Sequence, residues 1–266
     1  MDFLEIVSTY GYVTLVSLAF LSFVAGFIDA VVGGGGLIQL PALLINFPQT
    51  PLATILGTNK IAALSGTSIA AYQYAKKIQF NYRLLFVVSC CSALASYAGA
   101  KIVSFIDVAT LKPIMLVILI AIAGYTFAKR DLGTQQTGTV STSKQLLYGS
   151  LIGLVVGFYD GFFGPGTGSF FVLGFVVLLG FEFLEASAYA KVINCMTNIS
   201  ALLVFVRQGS YFIELAVLMS CCNMLGNIIG VKIALKKGNQ FVRLVFLCIV
   251  LLMIVRYSYD VFKSSF

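Results

Sequence analysis

The chain has no histidine. That removes imidazole-ligated metals, histidine-held haem and histidine proton relays from its possible chemistry. Charge is scarce as well. Asp, Glu, Lys and Arg make up 10% of the residues, where a soluble domain carries about 25%. No base precedes Lys60, and the first residues carry Asp2 and Glu5 instead. A cleavable signal peptide needs a positive leader, so residues 11–32 read as a retained first span. The 6 cysteines lack the paired spacing of a zinc site. Cys90, Cys91, Cys195, Cys221, Cys222 and Cys248 all lie in apolar segments and are expected to be small buried hydrophobes.

What remains is apolar. Hydrophobic residues make up 59% of the chain and the mean hydropathy is +0.99. Runs near the length of a membrane helix recur, without the dyad alternation of barrel strands. The expected class is an all-α polytopic membrane protein, multi-pass in a cell membrane. The net charge of +7 does not point to nucleic acid. Its bases cluster at span ends, as in Lys76-Lys77, Lys129-Arg130 and Lys236-Lys237, which is how cytoplasmic loops of membrane proteins are marked. The expected partners are the lipid bilayer and a small anion. No cofactor or metal is expected, and the oligomeric state is left open.

Apolar segments fall at 11–32, 36–47, 54–75, 84–104, 110–128, 146–163, 168–180, 184–206, 212–233 and 241–259. The only long polar linker is "KRDLGTQQTGTVSTSK", from Lys129 to Lys144. The expected units are an N-terminal repeat 1–128, a linker 129–145 and a C-terminal repeat 146–266. A shift of 131 residues lays Gly26-Phe27 on Gly157-Phe158, Asp29 on Asp160, Lys60 on Lys191, Cys90-Cys91 on Cys221-Cys222 and Lys101-Ile102 on Lys232-Ile233. Loop charge gives the orientation. The bases after the 54–75 span, Lys76, Lys77 and Arg83, have no net counterpart near Arg207 and Glu214. The excess at Lys232, Lys236, Lys237 and Arg243 is scarcely matched in the first half. A bias that changes loops between halves implies an inverted repeat of about five membrane elements each. The N-terminus then lies outside and the linker inside. Separately, Lys101 and Lys232 lie near span ends and are expected to be inside-facing anchors. Segments 36–47 and 168–180 are too short to cross. Twelve helical residues reach roughly 18 Å, against a hydrocarbon core about 30 Å thick. They are expected to be half-spans or arms of re-entrant hairpins.

Four charges sit inside apolar segments. An exposed acid at the bilayer centre costs about 2.5–3.5 kcal/mol on insertion scales, so Asp29 and Asp160 must face a cavity or a partner. Their expected role is proton coupling or counter-charge. Lys60 and Lys191 lie well inside spans, where a lysine either snorkels or lines a polar face. Lys191, Asn194 and Asn198 follow i, i+3, i+7 and share one helix face. Lys60 and Thr67 take the i and i+7 places in the first half, with Asn59 beside them. A cation with amide and hydroxyl donors suits an oxyanion.

Each aspartate is followed by a helix-weakening run, "GGGG" at Gly33, Gly34, Gly35 and Gly36 and "GPGTG" at Gly164, Pro165, Gly166, Thr167 and Gly168. Glycine costs roughly 1 kcal/mol per position in a helix relative to alanine. A new helix is expected to start at each run, at Pro165 in the second. Free N–H groups there offer an anion site. No GK[ST] follows "GGGG" and no strand precedes it, so a nucleotide loop is excluded. Asn223 and Asn227 are expected to hydrogen-bond between helices. Glu182 and Glu185 are expected in a solvated loop.

At "GFIDAVVGGGG" with "TNK", and at "GFYDGFFGPGTGSF" with "AKVIN" and "TN", the sequence resembles the TauE/SafE family of membrane permeases, the sulfite exporter group. The resemblance covers nearly the whole chain. Within the family it is most similar to the probable membrane transporters of bacterial inner membranes. It implies a secondary carrier for sulfite, sulfonates or other sulfur-containing anions. The expected function is therefore alternating-access transport of a small anion, not enzymatic. The site would be built from Lys60, Lys191, Asn59, Thr67, Asn194, Asn198 and both glycine runs. The alternative is a non-transporting membrane subunit or sensor that recruits a partner. An intramembrane enzyme would have only the pair Asp29 and Asp160 to work with.

Overall fold

The computed structural model describes residues 3–103 and 141–264. The expected span 110–128, and linker residues 129–140, lie outside them. The described residues form helices in the order α1 Phe3–Tyr10, α2 Tyr12–Val32, α3 Gly36–Asn46, α4 Leu52–Ala75, α5 Tyr82–Ile102, α6 Thr142–Phe162, α7 Thr167–Gly174, α8 Phe183–Arg207 and α9 Ile213–Ser264. A π-helical turn, Phe175–Leu179, extends α7. The short α1 precedes the first expected span. Helix α9 joins two expected spans, interrupted at Gly238, where φ is 71° and ψ is −164°.

Helices α2, α5, α6, α8 and the Ile213–Leu252 part of α9 are long and apolar enough to cross a membrane. Helix α4, at 24 residues, is long enough but too polar to join them. Thr58, Asn59, Lys60 and Thr67 are buried along it, so its interior face carries groups that lipid would not accept.

Glycine seams hold the helices close. A side chain at Gly26 would strike the Asn223 backbone of α9, and one at Gly226 or Gly230 would strike Phe23 or Phe27 of α2. The 131-residue shift converts this contact into another. Gly157 and Gly161 of α6 lie on the Ser92 and Ser96 backbones of α5, and Gly99 lies on Phe158. Small residues permit such backbone approach where no hydrophobic force drives apolar helices together in lipid.

Aromatic side chains gather the loops at two places. Tyr10, Phe47 and Phe212 pack on one another, with centroids 5.9–6.3 Å apart. Phe212 N–H also donates to Thr58 Oγ1 at 2.9 Å. This cluster unites the end of α1, the end of α3, the start of α4 and the α8–α9 loop. Phe80, Phe175 and Phe181 surround Tyr189 at 4.9–6.1 Å, and Tyr189 Oη accepts from Asn81 N–H at 2.6 Å. The second cluster unites the α4–α5 loop, the start of the π turn, the loop after that turn and the start of α8. Helix α5 leaves the second cluster, whereas α9 leaves the first. Lys101 and Lys232 therefore run toward opposite ends of the bundle, and the expectation that both are inside-facing anchors is corrected.

Two further expectations change. The cysteines are free, but none is fully buried: Cys90, Cys221 and Cys248 are exposed and the other three are partly so. On apolar helices such faces suit lipid as readily as a core suits them. Glu182 and Glu185 do not lie in a solvated loop. Glu182 is the N-cap residue of α8 and Glu185 lies in its first turn. Asn239 Nδ2 donates to Glu182 Oε2 at 2.7 Å.

Candidate functional site

Helix α2 ends where its last carbonyls would be stranded in an apolar interior. Such orphan groups need partners, and each has one. Gly33 N–H donates to Asp29 O at 2.8 Å. Tyr74 Oη donates to Ala30 O at 3.0 Å, Ser187 Oγ to Val31 O at 2.9 Å, and Ser169 Oγ to Val32 O at 3.0 Å. Gly33 adopts the left-handed conformation (φ 80°), which costs an L-residue about 1–2 kcal/mol. The chain then turns into α3 at Gly36.

The second glycine run turns similarly. Gly164 and Gly166 have φ of 90° and 80°. Tyr159 Oη donates to Pro165 O at 2.6 Å, and Thr167 Oγ1 donates to Gly164 O at 2.5 Å. Pro165 is not the first residue of the new helix. Gly166 takes the N-cap place and α7 begins at Thr167, because two left-handed glycines are needed to complete the turn. Thr167 is spent on clasping that turn.

The two turns touch. A Cβ on Gly33 would overlap the Gly168 backbone, and one on Gly168 would overlap Gly33. A Cβ on Gly36 would stand 3.3 Å from Pro165 Cα. Gly35 lies against the Asp29 side chain, while Gly34 faces Ile249 and Ile28. The ladder of α3 opens with Leu37 and Ile38 donating to the Gly34 and Gly35 carbonyls. That of α7 opens with Thr167 and Ser169 donating to Gly164 and Gly166. The N–H groups before each start lie ahead of the ladder, where a helix attracts negative charge.

Around this contact the four intramembrane charges form two pairs, each joining opposite halves of the chain. Lys60 Nζ donates to Asp160 Oδ2 at 2.6 Å and to Asn198 Oδ1 at 2.9 Å. Lys191 Nζ lies 2.9 Å from Asp29 Oδ2. This second contact is off the hydrogen-bonding axis, so it is a charge contact without a directed bond. Thr67 Oγ1 donates to the same Asp29 oxygen at 3.0 Å. Side-chain exposure is 4% for Lys60 and 6% for Asp160, and 0% for Lys191 and 14% for Asp29. Neither lysine snorkels. Removing one member of such a pair leaves a buried charge uncompensated and costs about 3–5 kcal/mol.

Most of the expected residues converge. Asp29, Thr67 and Lys191 form one group, and Asp160, Lys60, Asn198 and Gly164 the other. A Cβ on Gly164 would lie 3.7 Å from Lys60 Nζ. Asn194 stands beside Gly168, whose added Cβ would be 2.9 Å from Asn194 Nδ2. Asn59 is buried on α4 with Oδ1 unpartnered, and among the described residues no hydrogen bond joins it to either ion pair. Asn194 Oδ1 is likewise buried and unpartnered.

The structure adds residues that the sequence reading missed. Ser169, Ser187 and Tyr74 close the end of α2. Ser22 and Gln39 belong to a buried amide cluster, with Gln39 Nε2 donating to Ser22 Oγ at 3.1 Å. Asn223 Nδ2 approaches Gln39 Oε1 at 3.4 Å, and Asn227 Nδ2 donates to Asn223 Oδ1 at 2.8 Å. The usable signal was a hydroxyl or amide in an apolar helix, which must find a partner. Among the described residues no three metal-ligating side chains gather.

Fold and site together define a multi-pass membrane protein with a buried charged centre beside two glycine-rich turns. The comparisons make this specific. The family model described as sulfite exporter TauE/SafE matches residues 18–257, and the chain belongs to that family of membrane transporters. It is 39% identical over 199 residues to a "Probable membrane transporter protein" of Haemophilus influenzae, covering 75% of this chain and 76% of the relative. It is 41% identical over 197 residues to "Probable membrane transporter protein ORF9" of a Sinorhizobium species, covering 73% and 74%. With "Probable membrane transporter protein YfcA" of Escherichia coli K12 it shares 36% identity over 203 residues, covering 72% and 70%. No solved structure matches the chain.

Proposed function

We propose that the chain is a secondary transporter of a small anion, a sulfur-containing oxyanion or organosulfonate, working by alternating access and not as an enzyme. The observation that carries this reading is the pair of buried ion contacts, Lys60 with Asp160 and Lys191 with Asp29, each crossing between halves where the two glycine turns touch. Two cations and two helix starts make an environment that accepts negative charge. In the empty state the aspartates balance the lysines. An incoming anion replaces a carboxylate at its lysine, and the displaced carboxylate takes a proton from solvent, which keeps the buried charge compensated.

The inverted two-repeat architecture belongs to the same proposal, with units 1–128 and 146–266 and interrupted helices entering from opposite faces. The loop clusters support it. The α3–α4 loop lies in the Tyr10 cluster, while its partner by the 131-residue shift lies in the Tyr189 cluster. The α4–α5 loop and its partner, the α8–α9 loop, are exchanged likewise. The bases Lys76, Lys77 and Arg83 favour a cytoplasmic position for the Tyr189 end, in a bacterial inner membrane.

Flux into proteoliposomes tests the reading, with sulfite, thiosulfate and sulfonates against neutral solutes. The parent is expected to carry at least one of the anions and none of the neutral solutes. Lys60→Ala and Lys191→Ala are each expected to lower that flux by at least about tenfold, as truncating one partner of a buried charge pair does. Equal flux from both variants and the parent would overturn the anion site.

A further inference from the structure

The two ion pairs are related by the 131-residue shift but are not equivalent. We propose that they divide the work, Lys191 with Asn194 receiving the anion while Lys60, Asp160 and Asn198 brace the halves together. This rests on the transport reading above.

Lys60 is committed. It makes two directed hydrogen bonds, both to the other half, and its carboxylate partner is nearly sealed. Lys191 is poised. It is fully buried, makes no directed hydrogen bond, and leans on the more exposed of the two aspartates. The neighbours differ in the same sense. Asn198 accepts from Lys60 and tightens that pair. Its counterpart Thr67 instead donates to the Asp29 carboxylate, which gives Asp29 support that does not depend on Lys191. A carboxylate held in this way can give up a cation at lower cost, because one of its bonds survives the exchange.

Asn194 adds a difference of composition. It lies one helical turn beyond Lys191 on the same face, and the 131-residue shift places Ala63 at its counterpart. The Lys60 side therefore lacks this amide. Asn194 Oδ1 is buried without a partner, and its amide nitrogen stands against Gly168 in the first turn of α7. Glycine at 168 lets the Gly33 backbone and the Asn194 amide both approach this helix start closely. The Lys191 ammonium and the Asn194 amide N–H₂ thus share one face of α8, with the amide at the start of α7, and the Lys60 side has no amide at the matching place. They suit the oxygens of a sulfite, sulfonate or similar oxyanion. Asp29 presents one such group already: it is a tethered carboxylate in the place of the transported anion.

The test uses the full chain with sulfite as probe and reads half-saturation of flux together with unfolding temperature in detergent. Asp29→Asn removes the tethered competitor without changing shape. It is expected to lower the half-saturating concentration about tenfold, and sulfite should raise its unfolding temperature more than it raises that of the parent. Asp160→Asn is expected to gain no affinity and to lose thermal stability that sulfite does not restore. Asn194→Ala is expected to raise half-saturation about tenfold, the loss of one hydrogen bond to a charged group, with the unfolding temperature kept.

Equal affinity shifts from the two aspartate variants, or a gain in Asp160→Asn alone, would overturn the assignment. Should Asp29→Asn fail to fold, Asn194→Ala and Asn198→Ala decide: affinity must change in the first and stability in the second, and the reverse overturns the proposal. A parent that carries none of the anions refutes the transport reading and this assignment with it. A parent that carries sulfite with affinity indifferent to Asn194 and Asp29 refutes the assignment alone.

Discussion

At the scale of the residue, the four charges were legible because each stands where lipid would punish it. Their pairing was not legible. Asp29 could have met Lys60 within its own half, and only the tertiary arrangement brings it to Lys191. The glycines were legible as a weakness in two helices but not as a mutual contact. Nothing local at Gly168 announces that its missing side chain makes room for the backbone of Gly33. That contact predicts the effect of one methyl group. Gly168→Ala is expected to cost about 1–3 kcal/mol by overpacking. Gly33→Ala is expected to cost more, because a left-handed backbone adds about 1–2 kcal/mol to the same collision. Unfolding temperatures in detergent for the two purified variants check the order, and Gly33→Ala should unfold at the lower temperature.

At the scale of the element, hydropathy located most helices to within a few residues, since length and apolar periodicity are local properties. It missed the structure's treatment of ends. The carbonyls that close α2 are satisfied by Ser187 and Ser169 of the other half, which are ordinary hydroxyls in the sequence. Its division of Ile213–Ser264 into two spans agrees with the break in helical geometry at Gly238. The interhelical role expected of Asn223 is present, with Gln39 of α3 as a partner that was not foreseen. This amide cluster occupies the space opposite Gly66 of α4, where a Cβ would collide with Asn223 and Asn227. Gly66→Ala is therefore expected to lower stability by about 1–3 kcal/mol. Combining it with Asn223→Ala should cost less than the sum of the two single changes, because the truncated side chain vacates the collision. A double-mutant cycle on thermal unfolding measures the difference.

At the scale of the whole molecule, loop charge suggested opposite orientations for the two halves, and the aromatic clusters supply the geometry that supports it. Accessibility of introduced cysteines gives an independent check. In a background cleared of native cysteine, Ile78→Cys and Gly238→Cys are expected to react with an impermeant thiol reagent from the cytoplasmic side only. Pro48→Cys and Ser210→Cys are expected to react from the opposite side only. Labelling of Ile78→Cys and Ser210→Cys from one common side would remove the inverted arrangement. The crossing of both ion pairs between halves has a consequence for ancestry. One half alone carries an aspartate and a lysine whose partners both lie elsewhere. Two copies of such a half, facing each other about a twofold axis, would satisfy all four charges at once, since isologous contacts always come in duplicate. The two contacts have the charge arithmetic of a twofold homodimer, and a substitution at either lysine strands an aspartate in the half that did not change.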